Sequence, residues 1–229
     1  MDLTNHKACI ITCGVGGHYP VGVDRLERSL IFEGWGGGIM TWKDYPEGCP
    51  KHEGAGQYNF KVYAFEEAFK LGATVVLWCD TSLFAVRNPM EIFDYVNDNG
   101  LYFFKSGYSL AETATDSLCN YAGVNREELL EVSEFATGLV GINIENPKGK
   151  EFFESWKQYM NDGMFSGNRN HDLNDSADPV FKFSRQDQSA ASMVLHKMGV
   201  KTAGEDKDWV AYKGTPYNKD RVIFFIGGL

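Results

Sequence analysis

The chain has 229 residues, 43% hydrophobic and 23% charged, which is enough apolar length to bury a core and too typical a charge content for wholesale disorder. Its formal net charge of −9 repels phosphate backbones and argues against nucleic acid as a partner, although a few Arg, Lys or backbone N–H groups can still build one local anion site. The five cysteines (Cys9, Cys13, Cys49, Cys79, Cys119) form no C-x-x-C pair; the start lacks a basic stretch leading into an apolar one, and no apolar run reaches membrane length, so the expectation is a cytoplasmic protein with no membrane span and no zinc site.

Residues 8–13 read as a buried first strand that runs into the permissive loop Gly14-Val15-Gly16-Gly17. Leu26, Leu30 and Ile31 at helical spacing predict a helix over 24–32, ended by Gly34. A second strand over 38–42 closes at Asp44, and the glycine-rich stretch 47–57, with Lys51-His52-Glu53, reads as a loop. Phe60, Tyr63, Ala64, Ala68 and Leu71 predict a helix over 60–71, stopped by Gly72. Residues 74–79 are apolar on both faces, as in a central strand covered on both sides.

Asn88-Pro89 opens a helix carrying Ile92, Phe93 and Val96. A strand is expected over 101–104, helices over 111–121 and 126–132, a strand over 138–144 and a helix over 148–160. A long polar loop covers 161–184, a helix 188–198 and a closing strand 222–226. This alternation implies one α/β domain over 1–229, a three-layer sandwich with a mostly parallel sheet. Such sheets bind ligands at the carboxyl ends of their strands, which nominates residues 14–17, Asp44 and Asp80.

Asp80 closes an apolar strand, where an unpaired carboxylate is costly to bury. It either binds something, such as a metal or a donor pair, or caps its own turn. The segment Lys61-Val62-Tyr63 through Trp78-Cys79-Asp80-Thr81-Ser82, continued by Arg87-Asn88-Pro89, resembles the helix, strand and Asp-x-Asp motif of glycosyltransferases with the nucleotide-sugar-binding GT-A fold. In that family the acids hold a divalent cation, Mn²⁺ or Mg²⁺, that bridges the donor diphosphate. The resemblance therefore implies donor-binding roles for Lys61, Asp80, Thr81 and Ser82, with Asp80 the metal ligand. Ser82 stands where the second acid belongs and offers only a neutral hydroxyl, which puts metal dependence in question.

Two further stretches carry the same resemblance. Phe135-Ala136-Thr137-Gly138 is similar to the strand whose small residues line the sugar pocket, which implicates Thr137 and Gly138; read alone, it is a core strand whose glycine admits another backbone. Arg185-Gln186-Asp187-Gln188 is similar to the family's Asp-Gln pair at a helix start. There Asp187 acts as general base or as anchor for a sugar hydroxyl, or it is simply a helix cap. Gln188 joins the donor site; Arg185 and, in the loop, Arg169 and His171 either meet the diphosphate or are solvated loop charge, the second being the expected reading for His171. By the same resemblance Cys13, Gly14, Val15 and Gly16 lie against the nucleoside, and Asp44 takes the base or ribose.

The function implied is transfer of a sugar from a nucleotide-sugar donor to the hydroxyl of a glycan or small-molecule acceptor. One alternative is a non-catalytic nucleotide-sugar or sugar-binding module, an inactivated transferase, which Ser82 favours. Another is a sugar nucleotidyltransferase, against which residues 14–24 contain no Lys or Arg.

Overall fold

The computed structural model describes residues 7–51, 57–201 and 203–227. Residues 1–6 and the His52-Glu53 part of the expected 47–57 loop lie outside them. Strands β1 (Ala8–Cys13), β2 (Gly38–Trp42) and β3 (Val75–Cys79) form where the apolar, β-branched runs fall. β1 lies between β2 and β3 and pairs in parallel with both. After the short β4 (Leu83–Ala85), strands β5 (Leu101–Ser109) and β6 (Ser133–Asn143) complete a five-stranded sheet of order β2-β1-β3-β6-β5. β6 is antiparallel to both of its neighbours, so four strands run one way and β6 alone runs the other. The sheet is thus mostly, not purely, parallel.

Helices cover both faces, and the alternation along β3 shows how. Val76 and Trp78 face one apolar cluster, with Phe65, Phe152 and Trp156. These come from α2 (Phe60–Lys70) and α6 (Pro147–Asn161). Val75, Leu77 and Cys79 face the other cluster, with Leu26, Leu30, Ile92 and Phe93 from α1 (Tyr19–Phe32) and α3 (Met90–Asn99). The three-layer expectation and the continuous apolar run of β3 therefore have the same cause.

Several boundaries differ from the sequence expectation. α1 starts at Tyr19 rather than near 24, because Pro20 falls in its first turn, where a missing N–H leaves no bond unmade. The expected helix over 111–121 is two short ones, α4 (Leu110–Thr113) and α5 (Asp116–Ala122). The break comes where Thr115 turns extended and its hydroxyl accepts the Leu118 amide at 3.1 Å. Residues 126–132 hold a single 3₁₀ turn, Arg126–Leu129, and β5 and β6 are both longer than expected. α7 (Asp187–Lys197) begins at Asp187. The closing strand β8 (Phe224–Ile226) does not join the main sheet. It lies between β4 and β7 (Val210–Tyr212) in a separate three-stranded sheet.

Candidate functional site

Beyond the carboxyl ends of β1 and β3 the surface opens into two adjoining cavities of about 290 and 280 Å³. Tyr58, Asp80 and Arg169 line both and so form the joint between them. The first lobe is walled by the backbone turn Cys13, Gly14 and Val15, by Tyr19, Tyr45, Phe60 and Trp78, and by Thr81 and Ser82. The second is walled by Lys61, Thr137, Gly138, Phe183, Arg185, Gln186, Asp187 and Gln188.

In the first lobe a tight turn carries the chain from β1 toward α1. The Gly14 amide donates to the Trp42 carbonyl at 2.9 Å, and a Cβ on Gly14 would come within 2.7 Å of the Tyr19 carbonyl oxygen. Only glycine lets the two backbones approach so closely. Burial pushes the Cys13 thiol up to about 12, so it stays protonated and donates to the Asp44 carbonyl at 3.6 Å. Asp44 and Gly16 are exposed and line neither cavity; Asp44 uses its carboxylate to accept the Tyr45 amide at 2.8 Å. Gly17 and His171 are also exposed and line neither cavity; the remaining donor-site candidates from the sequence each line one lobe or the other.

The second lobe is built on charge. Lys61 falls on the apolar face of α2 with Ala64, Phe65 and Ala68, and its side chain is buried. Its ammonium lies 2.8 Å from Asp187 and 3.5 Å from Asp80, and it donates to the Thr137 carbonyl at 3.0 Å and hydroxyl at 3.1 Å. Burial would push this lysine down, but Asp187 first and Asp80 second outweigh it and hold it above its ordinary value. The Thr137 hydroxyl donates to Asp187 Oδ2 at 2.7 Å, and Trp156 Nε1 of α6 donates to the Asp187 carbonyl at 3.1 Å. α2, β6 and α6 therefore meet α7 at Asp187, the first two on its carboxylate and α6 on its backbone carbonyl. Lysine in register with an apolar helix face is the sequence signal that marks this contact.

Behind this layer lies a carboxylate the sequence reading did not single out. Glu134 on β6 is fully buried and accepts from Ser106 Oγ at 2.6 Å, Gln188 Nε2 at 2.7 Å and Ser189 Oγ at 3.2 Å. Burial pushes it above its ordinary value against the pull of these donors. The bond from Gln188 Nε2 orients that amide so that its oxygen faces the Thr137 amide at 3.3 Å and Arg185 at 3.5 Å.

The polar loop before α7 is tethered to the body. Ser184 N donates to the Asn168 carbonyl, Asp116 N to that of Asp175, and Lys182 N to that of Glu112, at 2.7–2.9 Å. At its end Gln186 is buried with φ of 50°, a backbone state that costs a non-glycine residue about 1–3 kcal/mol. Its side chain donates to the Gly167 carbonyl at 2.8 Å, which helps to hold that conformation beside the second lobe.

The donor set at the joint was weighed against a divalent cation. Asp80 Oδ1 accepts from Trp78 Nε1 at 2.7 Å and faces Lys61, which leaves Oδ2 as the open oxygen. Among the described residues no group of three or more His, Cys, Asp or Glu is placed to hold a metal ion. Asp187 is engaged by Lys61, and a dication on Asp80 would stand in the field of that buried ammonium. These side chains do not fit a metal site of their own.

No family model matches the chain, and no curated protein matches it by sequence. Its fold is similar to that of mouse xyloside xylosyltransferase 1 in its apo form, with a TM-score of 0.56 and 10% identity over 96% of this chain and 97% of that one. It is also similar to the apo bifunctional glycosyltransferase WbbM, with a TM-score of 0.54 and 10% identity over 95% of this chain. The chain spans 45% of the WbbM chain. At this identity the likeness is one of fold. Among the described residues no helix is long and apolar enough to cross a membrane.

Proposed function

We propose that this chain is a glycosyltransferase that moves a sugar from a nucleoside diphosphate sugar to an acceptor hydroxyl. The observation that carries the reading is the order of chemistry along the cleft: an aromatic, uncharged lobe, then a joint at Asp80 and Arg169, then a charged, hydrogen-bonding lobe. A nucleotide sugar has the same order of base, diphosphate and polyhydroxyl ring. The likeness in fold to two glycosyltransferases supports it.

In this reading the nucleoside rests on the 13–15 turn and the tyrosines, and the sugar meets Asp187 and Gln188. Asp187 Oδ2 is already shared by an ammonium and a hydroxyl, which fixes the carboxylate's orientation. We assign it as a rigid acceptor for a donor-sugar hydroxyl rather than as the group that removes the acceptor's proton. Thermal melting with a panel of nucleotide sugars, followed by assay of nucleoside diphosphate release, tests the function. One donor should raise the melting temperature and be turned over. Binding without turnover would instead support the inactivated module that Ser82 suggests, and no binding at all would end the nucleotide-sugar reading.

A further inference from the structure

We propose that Arg169 and Arg185, in place of a divalent cation, neutralise the donor diphosphate. This rests on the nucleotide-sugar reading and adds the means by which the leaving group is held. In the transfer the bond from the sugar's anomeric carbon to the diphosphate oxygen breaks and its electron pair stays on that oxygen. The acceptor oxygen bonds the anomeric carbon, and its proton passes to solvent. Negative charge thus grows on the diphosphate, and something at the joint must offset it.

Three observations point to the arginines. First, the position that should carry a second metal-binding acid is Ser82, whose carbonyl is engaged by Arg25 at 2.9 Å and by the Gly227 amide at 3.0 Å, and Asp80 has one open oxygen. Second, Arg169 and Arg185 line the cleft without an ion-pair partner among the described residues. With Lys61 they put three cations on the second lobe's lining against two carboxylates, with the buried Glu134 acting on Arg185 from behind, in a chain whose net charge is −9. A local excess of positive charge in so acidic a protein fits an anionic ligand.

Third, both guanidiniums are held over aromatic rings. Arg169 lies 5.0 Å from the Tyr58 ring centroid, and Arg185 lies 5.8 Å from that of Phe183. The residue before Arg169 is pinned by Asp175 and Asp172 at 2.6 Å each. Arg185 is aligned by Gln188, itself fixed by Glu134. Arg169 borders both lobes, where the diphosphate must lie, and Arg185 borders the second lobe alone. Planar guanidinium forks suit phosphate oxygens in such a clamp.

The test is calorimetric titration of UDP, GDP, CDP and ADP into the whole protein, each in EDTA and in excess Mn²⁺. The diphosphate that binds should do so equally well in both, and turnover of its nucleotide sugar should survive EDTA. Arg169→Ala should weaken binding in EDTA about tenfold or more, the loss expected for a charge-assisted hydrogen bond, and Arg169→Lys should restore part of it. Unchanged melting temperatures for these variants would separate lost binding from lost folding. Binding that needs Mn²⁺ would overturn the clamp and leave the transferase reading standing. Arginine variants that bind like the parent in EDTA would also overturn it. If no diphosphate binds in either condition, the clamp and the transferase reading fall together.

Discussion

The two lobes of the cleft sit side by side on one sheet edge and are built on opposite principles. The first is made of backbone and aromatic faces: a glycine turn, a protonated thiol and rings from four segments. The second is a layered polar network in which Lys61, Asp187, Thr137, Gln188 and Glu134 each depend on another member for a partner. A surface of rings loses affinity gradually when altered, whereas a buried network fails when one charge is left unpaired. Damage to the second lobe should therefore reach stability and turnover, and damage to the first should reach affinity alone.

Lys61→Met is the strongest way to sharpen that contrast. It leaves Asp187 buried without its ammonium, and loss of one partner of a buried pair should cost about 3–5 kcal/mol in urea unfolding. Adding Asp187→Asn to Lys61→Met should recover part of that loss; a double variant no more stable than the single one would break the network picture.

Asp187→Asn alone comes next. It keeps shape and removes charge, so turnover should fall about ten- to hundredfold, the loss of a charge-assisted hydrogen bond to the sugar, while affinity for the nucleoside diphosphate stays close to the parent's. Unchanged turnover would reduce Asp187 to a structural contact.

Tyr19→Ala probes the other lobe. An exposed ring offered to a base should be worth about 0.5–1.5 kcal/mol, so affinity should drop about three- to tenfold with turnover at saturation unchanged.

Glu134→Gln should have the smallest effect at neutral pH, within about 1 kcal/mol, because a Gln oxygen can still accept from Ser106 and Gln188. Its signature lies in acid. The folded state holds Glu134 above its ordinary value, so its protonation favours the fold at low pH and that advantage fades as pH rises through the folded value. The stability difference between parent and variant should therefore favour the parent more as pH falls; a difference that does not vary with pH would mean that Glu134 is not raised.

The contrast between the lobes also explains how much was readable from sequence. The apolar runs of β1, β2 and β3 and the helix stopped by Gly72 are encoded locally, and so are the strand ends that hold Cys13 and Asp80. The direction of β6 is not, since a strand buried on both faces looks the same whichever way it runs. Its first two residues, Ser133 and Glu134, escaped notice because the charged Glu134 does not look like strand interior; its partners Ser106, Gln188 and Ser189 are distant in sequence. Tyr58 and Phe183 were equally silent, because a ring in a loop carries no periodicity. Asp44, nominated by the end of β2, is turned into its own local turn.

The central claim is the assignment of base and sugar to separate lobes. The most direct measurement is a crystal structure with the nucleotide sugar selected by the donor panel. The account predicts the nucleoside against Cys13, Gly14 and Tyr19, the diphosphate at Arg169 and the sugar within hydrogen-bond reach of Asp187. A nucleotide seated elsewhere, or turned so that its base meets Asp187, would contradict it.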